Sequence, residues 1–257
     1  MYRILAAFSF FTRLPFWRIA NIPKYYYERV VPLWPMIGWF TGASMALIVC
    51  SSCKLPITVS VILCLITRIL ITGALHEDGY ADFCDGFGGG TNREHTLHIM
   101  KDSHIGTYGV VGLILYFLLQ TNVISGIILT LYNPLDIIAT FIIADTFCKW
   151  VSSTIIYFLP YARKEEEAKN KLVYAKVTWK DKITSLILGM LPLCIFLPFT
   201  ISLNLIHIII ACTASIVSAL LLFSYMHRRI GGYTGDCCGA SFIITEVIFY
   251  LALIIVL

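Results

Sequence analysis

Residues 205–224 read LIHIIIACTASIVSALLLFS and contain no Asp, Glu, Lys or Arg over twenty positions. A helix of about 20 apolar residues crosses the ~30 Å hydrocarbon core of a bilayer. The chain contains further apolar runs of this kind. We predict about seven spans, near 31–53, 56–75, 108–131, 135–159, 183–203, 205–224 and 241–257. The sequence therefore predicts an all-α, polytopic membrane bundle that forms a single domain over residues 1–257.

The composition excludes several other classes of protein. The chain has 257 residues, of which 58% are hydrophobic and 13% charged, whereas soluble domains are about 25% charged. Its 14% aromatic content and low charge exclude disorder. The 19 basic residues form no broad basic face, so we expect no nucleic-acid partner. We expect the bilayer to be the main partner, and a homo-oligomer is left open.

The basic residues also predict topology. Of the 19 Lys and Arg, 16 fall in alternate linkers, namely 1–30, 76–107, 160–182 and 225–240. The positive-inside rule places these linkers in the cytoplasm, as expected of a multi-pass protein of the inner membrane. Arg13 interrupts the apolar N-terminal segment and no cleavage site follows, so we predict an interfacial helix there rather than a signal peptide.

A polar island, HEDGYADFCDGFGGG at residues 76–90, follows the second apolar run. Asp78, Asp82 and Asp85 are spaced i, i+4, i+7, which lines one face of a helix. Three carboxylates on one face need compensation, and Mg²⁺ suits such oxygen ligands together with substrate phosphates. The alternatives are a solvated acidic loop or a zinc site, but Tyr80 stands where an HExxH motif needs its second His.

Two further islands carry polar residues next to predicted spans. Lys101, Asp102 and Ser103 fit either phosphate contacts or a helix N-terminus. Thr234 and Asp236, in GGYTGDCCGA at 231–240, fit either an anion nest or a tight loop between helices.

Four ionisable residues lie inside apolar runs. Such residues usually face a cavity or one another. Asp145 and Lys149 are i, i+4 and are predicted to pair, while Arg68 and Glu246 have no evident partner in sequence. A transporter with these residues along its pathway is one alternative function, although most polar residues lie in loops next to span ends, which favours an interfacial enzyme.

Together and in this order, the islands resemble the cobalamin synthase family, the adenosylcobinamide-GDP ribazoletransferases. The resemblance runs almost from end to end, and Glu77, Lys101 and Ile243 are departures from the family pattern. It rests on His76, Asp78, Gly79, Ala81, Asp82, Asp85, Gly86, Arg93, Ile99, Met100, Asp102, Ser103, Gly106, Gly109, Gly231, Gly232, Thr234, Gly235, Asp236, Gly239, Ala240 and Glu246, with FFTRLP at 10–15, VPLWPMIGWFTG at 31–42 and Tyr161–Arg163 followed by Glu165 and Glu166.

The resemblance implies transfer of the cobinamide-phosphate moiety of adenosylcobinamide-GDP to α-ribazole or its 5′-phosphate. The products would be adenosylcobalamin or its phosphate, and GMP. It also implies Mg²⁺ as cofactor. A lipid phosphotransferase of the CDP-alcohol type, which shares the metal but not the substrate, is the other alternative. We expect catalysis by Asp82, Asp78 and His76, metal binding by Asp78, Asp82 and Asp85, and substrate or phosphate binding by Arg93, Lys101, Asp102, Ser103, Arg163, Thr234, Asp236 and Glu246.

Overall fold

A computed structural model describes residues 1–52, 54–131, 133–163 and 174–257. Over these ranges the chain is helical and forms no β-sheet, apart from one isolated bridge between Tyr161 and Tyr233. The expected all-α class is therefore confirmed. Glu165 and Glu166, which contributed to the family resemblance, lie outside the described residues.

The described residues form twelve α-helices, linked in places by single turns of 3₁₀-helix. Two of the helices, α2 and α9, are single turns. In chain order they are α1 Tyr2–Phe11, α2 Lys24–Tyr27, α3 Trp34–Ser51, α4 Ile57–Thr72, α5 Leu75–Gly89, α6 Arg93–Ile99, α7 Thr107–Thr130, α8 Pro134–Ser153, α9 Ile155–Phe158, α10 Trp179–Phe196, α11 Leu205–Ile230 and α12 Gly235–Val256.

Five helical segments of the described chain are long and apolar enough to cross a membrane, or six if the bent pair α4 and α5 makes one span. The segment Val31–Ser51, α7, the segment Trp179–Phe199, α11 and α12 are the five. The predicted span at 135–159 corresponds to α8, which carries Asp136, Asp145 and Lys149 and is buried along most of its length. The membrane-bundle architecture is confirmed, and the count of seven spans stays a prediction.

Helix α8 lies at the centre of the bundle, and its neighbours pack closely against it. Gly38 and Gly42 of α3 face its backbone, where an added Cβ would lie 2.7 Å from the Cα of Thr146 and 2.8 Å from the carbonyl oxygen of Phe141. Small residues at membrane-helix contacts allow this close approach of two backbones. A larger side chain at either glycine would force α3 and α8 apart.

The loops gather at two ends of the bundle. At one end, the amide of Ala162 donates to the Tyr233 carbonyl over 2.8 Å, and the amide of Arg13 donates to the Ile71 carbonyl over 2.7 Å. At the other end, the buried Asp136 carboxylate accepts the amides of Ile201 and Ser202 at 2.9 and 2.8 Å. The loops with the polar islands belong to the first end, which we call the polar end.

The chain turns sharply between α4 and α5, whose axes differ in direction by 92°. Gly73 and Ala74 make this turn in the left-handed region, at φ of 67° and 58°. Positive φ is easy for glycine but costs an alanine free energy, so Ala74 is a strained position. The linker predicted at 76–107 therefore begins within a helix, Leu75–Gly89, which leaves α4 at a steep angle and carries the three aspartates that the spacing predicted on a helix.

Candidate active site

A cavity of about 250 Å³ opens at the polar end, where α1 ends and α3, α5 and α12 begin. Its lining combines charged side chains with aromatic ones. Its walls are made by Phe10, Phe11, Val31, Trp34, Leu75, His76, Asp78, Gly79, Tyr161, Arg163, Tyr174, Gly235, Asp236, Cys238 and Gly239.

Two glycines bring the carboxylates of α5 and α12 to this cavity. An added Cβ on Gly79 would lie 3.0 Å from the Cα and carbonyl oxygen of Asp236, and one on Gly239 would lie 3.0 Å from the carbonyl oxygen of His76. The first turns of the two helices therefore touch through backbone. Asp78 and Asp236, which flank this contact, both line the cavity.

Arg163 supplies the positive charge of the site. Its Nη2 lies 4.0 Å from Oδ2 of Asp236 and donates to the Leu97 carbonyl over 3.2 Å. The side chain is nearly enclosed, with 3% exposed. A buried guanidinium held at one carboxylate and one carbonyl retains further N–H groups for an anionic ligand.

His76 lies at the floor of the cavity and is buried, with 1% of its surface exposed. Its ring packs between Trp34, at 5.5 Å and 15° between planes, and Phe242, at 4.7 Å between centroids. Neither ring nitrogen has a hydrogen-bond partner within the described protein. A buried polar group without a partner is costly, and such groups often mark a binding or catalytic role.

Aromatic side chains form a second part of the lining, which we call the aromatic wall. Phe11 lies parallel to Trp34, with centroids 5.4 Å apart and 5° between planes. Tyr161 and Tyr174 line the same cavity. Burial raises the pKa of both phenols, so both tyrosines are neutral at physiological pH. The aromatic wall therefore offers flat, uncharged side chains.

Asp85 makes a different set of contacts from those predicted. Its two carboxylate oxygens accept the backbone amides of Gly106 and Gly109, at 2.7 and 2.8 Å. These amides belong to the N-terminus of α7, where a carboxylate is favoured by unpaired N–H groups and by the helix dipole. We therefore assign Asp85 to anchoring α7 on α5. Asp82 lies one turn further along α5 than Asp78, is partly buried and does not line the cavity.

The side chains at the cavity fit a magnesium site that substrate completes better than one in which the protein supplies every ligand. Within the described residues, no three His, Cys, Asp or Glu side chains are grouped as a metal-binding cluster. Asp78 and Asp236 nevertheless meet at the cavity beside Arg163. Mg²⁺ is commonly held by one or two carboxylates plus substrate phosphates, which is the donor set that these two aspartates could complete with a ligand.

Other predicted site residues have structural contacts outside the cavity. Arg93 donates from Nε to the Ile230 carbonyl at 2.9 Å and from Nη2 to the Ala162 carbonyl at 2.6 Å, so it ties α6 to two loops of the polar end. Thr234 accepts the amide of Cys237 at 3.4 Å as the N-cap of α12.

Residues 101–105 of the second island are exposed and do not line the cavity. Asp102 accepts the backbone amide of His104 at 3.0 Å and lies 2.7 Å from its Nδ1. These hydrogen bonds, with that from the amide as the largest cause, lower the pKa of the Asp102 carboxyl. The phosphate contacts of Lys101, Asp102 and Ser103 stay predictions.

Glu246 is placed away from the cavity, and its predicted contact with substrate has no support in this position. It is fully buried, and both carboxylate oxygens accept from Nη1 of Arg68 at 2.6 Å. Gln120 donates to the same carboxylate at 3.2 Å, while Arg68 also bonds to Tyr116 and lies 3.5 Å from Glu77. This buried group joins α4, α5, α7 and α12.

The predicted pairing of Asp145 with Lys149 is confirmed. The two fully buried side chains form an ion pair within α8. Thr41 of α3 donates to Asp145 at 2.8 Å and accepts from the Lys149 ammonium at 3.0 Å. These charges are therefore neutralised inside the bundle and hold α3 against α8.

Sequence reasoning did not find the aromatic wall. Phe10 and Phe11 were interpreted as membrane-surface residues of the N-terminal helix, and Trp34 as part of a span. FFTRLP and VPLWP, which contributed to the family resemblance, do contain these aromatics. The presence of these aromatics in segments that carry the family resemblance was the available signal. Only the packing of α1 against α3, however, places them at one cavity.

The fold and site define a polytopic membrane protein whose polar end is suited to a phosphate-bearing ligand. The cobalamin-5-phosphate synthase family model matches residues 3–254, and this chain belongs to that family. Three similar proteins are named adenosylcobinamide-GDP ribazoletransferase. They come from Leptospira interrogans (34% identity), Shewanella baltica strain OS185 (34%) and Shewanella putrefaciens (35%), and the matches cover 98% of this chain and 93–94% of each relative. No solved structure matches the chain.

Proposed function

We propose that this protein transfers the cobinamide-phosphate moiety of adenosylcobinamide-GDP to α-ribazole or its 5′-phosphate, releasing GMP. The names of its relatives support this activity, and so does its membership of the cobalamin-5-phosphate synthase family. The observation that carries the proposal is the meeting of Asp78, Asp236 and Arg163 beside the unpartnered His76. That arrangement combines groups for binding a diphosphate with a group that can accept a proton.

Arg163 is proposed to bind the diphosphate. A diphosphate oxygen competes with Asp236 for the guanidinium, because phosphate accepts two parallel N–H bonds from arginine. Asp78 and Asp236 would hold Mg²⁺ beside the diphosphate, with Asp82 on the next turn of α5 as a further carboxylate. Bound there, Mg²⁺ would neutralise the diphosphate and stabilise the leaving GMP.

His76 is proposed as the general base. The new bond forms between a ribose hydroxyl oxygen of the acceptor and the phosphorus that bears cobinamide. The bond from that phosphorus to the bridging oxygen breaks, and the electron pair leaves with GMP. The hydroxyl proton passes to a ring nitrogen of His76, since both nitrogens lack partners in the described protein.

We further propose that the polar end faces the cytoplasm from the inner membrane. The described part of the chain contains several helices able to span a bilayer, and Arg13, Arg93 and Arg163 lie at this end. Adenosylcobinamide-GDP is charged and α-ribazole carries a polar ribose, so a site at the cytoplasmic surface gives both substrates direct access from water.

The arrangement of charges weighs against transport as the main function. Arg68 is paired with Glu246 and Lys149 with Asp145, and all four side chains are fully buried. Residues of a transport pathway need contact with the moving solute. No particular feature of the site favours a CDP-alcohol lipid as substrate over adenosylcobinamide-GDP.

Asp78→Asn and Asp236→Asn test the proposal directly. We expect each to lower GMP release about 100-fold or more, because loss of a metal-binding carboxylate removes several kcal/mol of transition-state stabilisation. Glu94→Gln, an exposed carboxylate on α6, serves as the matched control and should retain wild-type rates. GMP release and thermal unfolding would be measured for all three in nanodiscs. Wild-type rates in both aspartate variants would contradict the proposed site.

A further inference from the structure

We propose that the cavity is the site of the acceptor nucleoside, whose flat apolar base lies against the aromatic wall while the corrinoid remains outside. This inference rests on the proposed function and adds the position of each substrate. It assigns Phe10, Trp34 and Tyr174 to recognition of the base. It also assigns the mouth of the cavity, at the membrane surface, to the corrin ring.

The size of the cavity supports this assignment. At about 250 Å³ it lies just below the range of about 300–1,000 Å³ usual for small-molecule pockets. A nucleoside is a ligand of that scale. A corrin macrocycle with its amide side arms is far larger than the whole cavity, so adenosylcobinamide-GDP enters with no more than its phosphates.

The shape and polarity of the wall fit a flat ring. The rings of Phe11 and Trp34 are parallel, and the Trp34 ring also stacks on the ring of His76. Phe10 packs edge to face against Tyr174, with ring centroids 6.3 Å apart. Phe10 and Tyr174 are partly exposed, so they present ring surface to the cavity. Aromatic surfaces of this kind bind bases by stacking and tolerate different ring systems.

Unpartnered polar atoms provide an independent indication of a ligand. The Nε1 donor of Trp34 is buried without a hydrogen-bond partner in the described protein, as are both ring nitrogens of His76. Both residues line the cavity. A base with one acceptor nitrogen and a sugar with hydroxyl groups can satisfy a single indole N–H and an imidazole.

The polar groups that line the cavity disfavour guanine as the occupant. Guanine presents two N–H donor groups and a carbonyl on one edge, and sites that read it need acceptors placed opposite those donors. Two carboxylates line this cavity, those of Asp78 and Asp236, and Asp236 lies 4.0 Å from Arg163. Since both carboxylates are proposed to bind Mg²⁺, neither is left to accept from guanine. The aromatic wall is therefore suited to a base without that polar edge, such as the benzimidazole of α-ribazole.

This placement also suits the reaction. With its base at the aromatic wall, the acceptor presents its ribose to His76 and Asp78, which line the same cavity. The hydroxyl oxygen then attacks the phosphorus held at Arg163 from inside the cavity. GMP departs on the side of the mouth, together with the bridging oxygen, and the proton passes to His76.

Phe10→Leu and Tyr174→Leu test the assignment, because each removes a flat face but keeps an apolar side chain. Phe158→Leu, at an exposed phenylalanine outside the cavity, is the matched control. Binding of α-ribazole, guanosine and cobinamide to the full-length protein in nanodiscs would be measured by calorimetry. Steady-state KM values for both substrates would be measured alongside.

We expect both cavity variants to raise the Kd and KM for α-ribazole about tenfold, with little change in the KM for adenosylcobinamide-GDP. The control should match wild type. Competition by guanosine, or a tenfold change confined to the KM for adenosylcobinamide-GDP, would overturn the assignment in favour of a guanine site. If wild type binds α-ribazole with this dependence but releases no GMP, the nucleoside site stands and the proposed function fails.

Discussion

Replacing Asp85 distinguishes an anchor of α7 from a magnesium ligand. The Asp85 carboxylate accepts two amides, those of Gly106 and Gly109, and is 7% exposed. A hydrogen bond to a charged group contributes about 1.5–3 kcal/mol. Asp85→Ala removes both bonds and leaves two amides without partners, so we expect a loss of at least about 3 kcal/mol. Asp85→Asn keeps one acceptor oxygen and should lose about half of that.

Thermal unfolding in detergent or nanodiscs measures this loss. One kcal/mol shifts the Tm of a chain of this size by about 2–4 °C, so Asp85→Ala should lower Tm by about 6–12 °C. The Asn variant should lie between Ala and wild type. At temperatures where the variants are folded, the Mg²⁺ concentration for half-maximal activity should equal that of wild type. An unchanged Tm together with a higher Mg²⁺ requirement would refute the anchoring role and restore Asp85 as a ligand.

Three further variants probe the fold around the site. Ala74→Gly should stabilise the protein by about 1 kcal/mol in thermal unfolding, because it relieves the strain of positive φ; a lower Tm would contradict this. Arg68→Met should destabilise by about 3–5 kcal/mol in the same assay, since it leaves Glu246 buried and unpaired, and adding Glu246→Gln should restore part of the loss. Arg93→Lys should lower Tm, because one ammonium cannot reproduce the two hydrogen bonds to backbone carbonyls. The KM for adenosylcobinamide-GDP should stay unchanged in this variant. A large rise in that KM would restore Arg93 as a phosphate ligand.

Local patterns in the sequence predicted the membrane bundle and one of its buried ion pairs. Apolar runs of span length identify helices because the bilayer demands internally bonded backbone. Asp145 and Lys149 could be paired from sequence because four residues make one helical turn. Such inferences need no knowledge of how the helices are arranged in space.

Contacts between distant segments could not be predicted in this way. Arg68 and Glu246 are 178 positions apart, and no pattern in either helix identifies the other as its partner. The same holds for Asp78 and Asp236, which meet because Gly79 and Gly239 let α5 approach α12.

Residue type and spacing do not show which partners the members of the acidic cluster have in the fold. Asp78, Asp82 and Asp85 were grouped because they share a helical face, and α5 is indeed a helix. The amides at the start of α7 donate hydrogen bonds to Asp85, and these bonds depend on where α7 begins relative to α5. Asp236 is expected to contact substrate, and its place at the cavity with Asp78 comes from the approach of α12 to α5, which no local pattern predicts.

The most direct test of the central claim is GMP release by purified protein in nanodiscs. The mixture would contain adenosylcobinamide-GDP, α-ribazole and Mg²⁺, with EDTA and Asp236→Asn as controls. We predict GMP and a cobalamin product in equal amounts, with both lost in each control. Folded wild-type protein that forms neither product, or that forms them equally well in EDTA, would contradict the account.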